Sequence, residues 1–191
     1  MYFAIDPYTF DKDYATLTDK TKNNVIENSW FHRLLYEHPA FAMNGAALHF
    51  SLTINRTETS YDKLKHCFSH AEDNNQAIVN ELTRIEREIL GATTMFEGKT
   101  PIYHIENQTK QGFIKLFNGM SRSHKSYVQP PAPHYVTHHT LKTYHMKPRP
   151  LNISKTQDFI LKISGVWCND TSYGITYKFE KANPPIIIRP S

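Results

Sequence analysis

Residues 159–179 read FILKISGVWCNDTSYGITYKF, and this stretch decides the fold. Phe159, Leu161, Ile163, Gly165 and Trp167 fall on one face of an extended chain, with Lys162 and Ser164 on the other. After Cys168-Asn169-Asp170-Thr171-Ser172, which is rich in turn formers, Tyr173, Ile175, Tyr177 and Phe179 again share one face, backed by Thr176 and Lys178. Alternation of period two on both sides of a short polar link predicts an antiparallel hairpin with an apolar inside and a basic, hydroxyl-rich outside. Trp167 and Tyr173 flank the turn, where a ring can leave the core.

Further strands are expected upstream. In Ala46–Ile54, Leu48, Phe50, Leu52 and Ile54 alternate with smaller or polar residues, and Asn44-Gly45 precedes them as a turn. Residues 100–105 and 113–117 read as two short strands around Gln111-Gly112. Asn75–Leu90 carries Ile78, Leu82, Ile85 and Ile89 on one stripe, which predicts an amphipathic helix ended by Gly91. Trp30, Phe31, Leu34 and Leu35 suggest a short helix before Pro39, with Trp30 as core. Tyr2–Ile5 reads as an edge strand or tucked-in arm, and residues 14–17 as a short helix in a polar connection. The chain is expected to be one domain over 1–191, mostly β with one or two helices (α+β). Its parts are an N-terminal extension 1–45, strands plus the helix 75–90 within 46–117, a basic Pro/His-rich loop 118–157, the hairpin 158–180 and a tail 181–191.

The charge is unevenly spread. Residues 107–157 contain no Asp or Glu but eight Lys and Arg, so the net +4 is a +8 segment joined to a −4 remainder. Aromatic side chains are interleaved with those cations. Cations for phosphates and rings for bases suit a nucleic acid, single-stranded above all. The expected contact residues are Lys110, Phe113, Lys115, Phe117, Arg122, Lys125, Tyr127, Lys142, Tyr144, Lys147 and Arg149, joined by Lys162, Trp167, Tyr173 and Lys178 of the hairpin. Phe113-x-Lys115-x-Phe117 is the sharpest of these: a lysine between two phenylalanines on one strand face suits stacking better than a core.

No zinc-protease, nucleophile-elbow or phosphate-loop motif occurs, and seven glycines leave little for phosphate-cradling loops. No catalytic residue or cofactor is expected, and the chain is read as a non-enzyme. His66 and His70 have the i, i+4 spacing of helical metal ligands, with Cys67 nearby, and His134, His138 and His139 form a second cluster. Neither set is completed at a recognised spacing, so no metal is expected. A nuclease using His138 and His139 would lack an acid for its metal. Two cysteines, no signal peptide and no long apolar run point to the nucleus or cytoplasm rather than a membrane.

Short strands, one helix and a terminal hairpin have the character of an oligonucleotide-binding (OB) fold, a five-stranded Greek-key barrel. The hairpin ILKISGVW…YGITYKF, with Lys162, Trp167, Tyr173 and Lys178, resembles the closing hairpin of OB-fold single-stranded-DNA-binding proteins of large DNA viruses. That resemblance implies an OB-like antiparallel barrel, a viral DNA-replication setting and non-catalytic binding of single-stranded DNA, with RNA as the second ligand. The alternative is a structural or protein-interaction component, for example viral, without nucleic-acid binding. The tail, with Ile186, Ile187 and Ile188 after Pro184-Pro185, offers a contact for homo-oligomerisation.

Overall fold

The computed structural model describes residues 3–60, 63–92, 94–117, 155–182 and 186–187. Among these the N-terminal strands are β1 (Phe3–Ala4), β2 (Ala15–Leu17), β3 (Thr21–Lys22), β4 (Trp30–His38), β5 (Phe41–Asn44), β6 (Ala46–Ser60) and β7 (Lys63–Phe68). Helix α1 (Asp73–Gly91), strand β8 (Thr100–Ile102) and helix α2 (His104–Lys110) follow, then β9 (Phe113–Phe117), β10 (Lys155–Cys168), β11 (Ser172–Lys181) and β12 (Ile186–Ile187).

Five of these strands close into a barrel. β6 pairs antiparallel with β7, and β7 with β9. β10 returns to lie antiparallel beside β6, so the order β10-β6-β7-β9 is that of a Greek key. β11 turns back along β10 and closes the ring by meeting β9 in parallel. The chain is thus mostly β with two helices and a closed five-stranded barrel, compatible with an OB-like α+β fold. Leu48, Phe50, Leu52 and Ile54 fill the interior as their alternation requires, facing Phe159, Leu161 and Ile163, with Ile114 and Leu116 from β9.

Helix α1 adds Ile78, Val79, Leu82, Ile85, Ile89 and Leu90 to this core. Its first turn is pinned to the barrel by Asn75, whose buried amide accepts from Thr53 N at 2.8 Å and donates to the carbonyls of Thr53 and Ser69, each at 3.0 Å. A fully buried amide is tolerated only when its polar atoms are satisfied in this way. No helix among the described residues is long and apolar enough to cross a membrane.

Several expectations are corrected. Residues 30–38 form β4, not a helix: His32, Leu34 and Tyr36 point inward with period two, and β4 pairs with β10 over Trp30–Arg33 and with β2 and β5 beyond. The i, i+1, i+4, i+5 spacing of Trp30, Phe31, Leu34 and Leu35 fits a helix, but the face that is buried in the strand is made of a histidine, a leucine and a tyrosine. Trp30 is not core either; it is 42% exposed. Residues 14–17 end a 3₁₀ turn and enter β2. His66 and His70 do not share a helix face, because residues 63–68 are β7. Residues 103–105 leave the expected strand and begin α2. The hairpin holds, but its first strand changes phase. A bulge between Ile163 and Gly165 turns Val166 and Cys168 inward and Trp167 outward, where the sequence placed Trp167 with Phe159 and Leu161.

Candidate nucleic-acid interface

β7 and β9 alternate in step. His66 and Phe68 of β7, and Ile114 and Leu116 of β9, are buried in the barrel. The opposite parity puts Lys63, Lys65 and Cys67 on the outside, opposite Phe117, Lys115 and Phe113 respectively in the antiparallel register. Across the β6–β7 pair the same outer face continues with Glu58 opposite Lys65 and Arg56 opposite Cys67. Among the described residues, four cations therefore share this face with one acid.

Their geometry is specific. The Phe113 ring is flanked by two ammonium groups, Lys65 Nζ at 4.7 Å and Lys115 Nζ at 5.2 Å from its centroid. Lys65 stands directly opposite Lys115, a like-charge pair that costs stability unless an anion offsets it. Glu58 relieves it in part, reaching Arg56 at 2.6 Å and Lys65 at 3.3 Å.

Beside β9 the barrel wall is thin. Among the described residues β9 and β11 share a single Cα pair, Phe179 with Leu116. The seam opens as a groove of about 240 Å³ lined by Lys63, Gln108, Lys115, Leu116, Tyr177, Lys178 and Phe179. Burial, with a smaller contribution from Glu86, pushes the Tyr177 hydroxyl up to about 12, so it stays a neutral phenol. It accepts a long hydrogen bond from Gln108 Nε2 at 3.4 Å.

The other expected contact residues are scattered. Lys110, at the end of α2, is bound to Glu106, which also takes two bonds from Arg87 at 2.8 and 2.9 Å. Arg87 and then Lys110 hold the Glu106 carboxyl down at about 2. Lys162 and Lys178 face each other across the hairpin and both grip Glu180, each at 2.6 Å. Burial alone would raise Glu180, but the two lysines outweigh it and hold it low. With Asp158 also exposed, the hairpin's outer face is of mixed charge rather than basic. Trp167 is half-buried, laid over Gly174 with its ring 6.1 Å from that of His104. Tyr173 is buried, stacked on Phe96 at 4.5 Å, with its hydroxyl directed to the Leu90 carbonyl. In this arrangement it is a core ring.

Phe117 takes its place in the β9 backbone, while its side chain lies outside the described residues, as do Arg122, Lys125, Tyr127, Lys142, Tyr144, Lys147 and Arg149. His134, His138 and His139 lie outside them too. The end of the basic segment, residues 155–157, is the first turn of pairing in β10. Among the described residues no group of three His, Cys, Asp or Glu converges as metal ligands. His66 instead bonds Thr57 Oγ1 through Nδ1 at 3.0 Å and packs on Phe159, and burial lowers its pKa.

Lys63 and Lys65 were not among the expected contacts. The alternation Lys63-Leu64-Lys65-His66-Cys67-Phe68 carried the signal, masked by the i, i+4 histidines. Trp30 was missed as well: its ring is exposed beneath Lys20 Nζ, 4.8 Å from the centroid. No family model, curated protein or solved structure matches the chain.

Proposed function

We propose that this chain is a non-catalytic nucleic-acid-binding protein that holds single-stranded DNA, or RNA as the second choice, on an OB-like barrel. The observation that carries the reading is the Phe113 ring set between Lys65 and Lys115 on the outer face of β7 and β9. These are the second and third barrel strands in chain order, and the corresponding strand face is where OB folds take oligonucleotides. A base can stack on Phe113 while the lysines move from the ring to the flanking phosphates, which also removes the repulsion between them. Stacking tolerates any base, and phosphate contacts read no sequence, so weak sequence preference is expected. Viral origin and a role in DNA replication remain part of the proposal through the hairpin resemblance.

The test is fluorescence anisotropy with labelled single strands and their duplexes at low salt. Phe113→Ala should cost about 1–3 kcal/mol of binding, the worth of one stacked base. Thermal melts of the same variant separate this loss from unfolding. Equal binding by parent and variant would remove Phe113 from the site.

A second reading, a protein-interaction component without nucleic-acid binding, is favoured by one observation. The connection from β3 to β4 presents Val25 at 91% exposure, Ile26 at 39% and Trp30 at 42% within a few residues of each other. If no oligonucleotide binds, this apolar hairpin becomes the surface to pursue.

A further inference from the structure

We propose that the groove at the β9–β11 seam is a phosphate subsite, holding one backbone phosphate of the strand that stacks on Phe113. The proposal rests on the nucleic-acid reading and deepens it by giving the strand a path, from the β7–β9 face over the seam toward β11. Three separate strands contribute lysines to the groove: Lys63 from β7, Lys115 from β9 and Lys178 from β11. Among the described residues no carboxylate lines it. The polar atoms that complete the lining, the Gln108 amide and the neutral Tyr177 hydroxyl, can both donate to an anion.

At about 240 Å³ the groove lies below the ~300–1,000 Å³ of pockets that enclose whole small ligands, so it suits a phosphate group and its water rather than a buried nucleotide. Lys115 is the link: the same side chain lies by the Phe113 ring and lines the groove. Lys178 is held by Glu180 at 2.6 Å, and Lys162 holds that carboxylate at 2.6 Å as well. A phosphate can therefore draw Lys178 away without leaving Glu180 unpaired. The adjacent aromatic ring favours nucleic acid over an acidic protein, which has carboxylates for the lysines but no bases for Phe113.

The experiment compares the full chain with a Lys63→Gln/Lys178→Gln double variant in titrations with dT and dA oligonucleotides over a range of salt. Lys12→Gln, a charge removed from an exposed site elsewhere, is the control. The double variant should bind roughly three- to tenfold more weakly at moderate salt, equally on both oligonucleotides, with a salt slope flatter by about 0.7 for one lost phosphate contact. A scan of single methylphosphonate linkages supplies the second readout. In the parent one linkage should weaken binding most, and the double variant should lose that position's effect. Parent binding with an unchanged double variant, or a loss matched by Lys12→Gln, overturns the seam subsite and leaves the Phe113 face standing. Displacement of the oligonucleotide by polyglutamate at equal charge concentration would make the groove a site for acidic protein and also overturn it. A parent that binds no oligonucleotide at low salt removes the nucleic-acid reading together with the subsite.

Discussion

At the scale of single residues, chemistry and burial separate side chains that look alike in the sequence. Lys110 and Lys115 are five residues apart, yet Lys110 is tied to Glu106 while Lys115 sits by an aromatic ring. Tyr173 and Trp167 flank the same turn, yet one is buried on Phe96 and the other is half-exposed. His66 makes a similar point about pH. Burial, and then Lys181, lower its pKa from the ordinary imidazole value of 6.5. The unfolded chain takes up this proton near 6.5 and the folded chain only at lower pH. His66 therefore contributes stability that is present above about pH 6.5 and is lost as pH falls below it. Melting temperatures measured between pH 7.5 and 5 should fall less steeply for His66→Leu than for the parent. Part of the slope should remain, because burial lowers His104 in the same direction. Identical slopes in the two proteins would show that His66 is not held neutral.

At the scale of elements, the informative feature is the bulge in β10. It lets one strand serve two neighbours in succession, β6 along residues 155–163 and β4 along 165–168. The crossing needs Gly165. A Cβ there would lie 2.1 Å from the His32 carbonyl oxygen and 3.0 Å from the Arg33 Cα, backbone atoms that cannot turn aside. Gly165→Ala should cost about 3 kcal/mol or more, as severe overpacking does, and should expose β4 amides to hydrogen exchange first. Gly91→Ala, with nothing within 4 Å of its Cβ, should be neutral or stabilising by up to about 1 kcal/mol. If the two variants melt alike, β4 is not locked to β10 at this point. The same bulge explains why Trp167 was misplaced from its spacing: a period of two survives only while every residue is paired. β4 was misread for another reason, since its inward face includes His32 and Tyr36, which hydropathy does not score as core. Helix α1, β6 and β9 were legible because their buried faces are dominated by aliphatic and phenylalanine side chains, with Asn75 and Glu86 the polar exceptions on α1.

For the whole molecule, the sequence carried the β-rich class, the terminal hairpin and the outward lysine–phenylalanine strand, all of which depend on local alternation. A barrel is expected from the run of short strands and the terminal hairpin, but which strands pair to close it is not legible in local alternation, because β10 must find β6 about a hundred residues away, as in Lys155 opposite Ile54. Nor could charge counting along the chain show that Lys65, outside the acid-free stretch, would face Lys115 across a strand pair, with Lys63 on the same outer face. Net charge locates a binding partner only after folding has sorted cations into those tied to a buried carboxylate, like Lys110 on Glu106, and those set beside an aromatic ring on the outer face, like Lys115 beside Phe113. The most direct measurement is the affinity of the full chain for a single-stranded oligonucleotide as a function of salt. Neutralisation of about five phosphates predicts a line of log affinity against log salt with a slope of about −3 to −4, and weaker binding to the matching duplex. No binding at low salt, or an affinity that does not change with salt, would contradict the account.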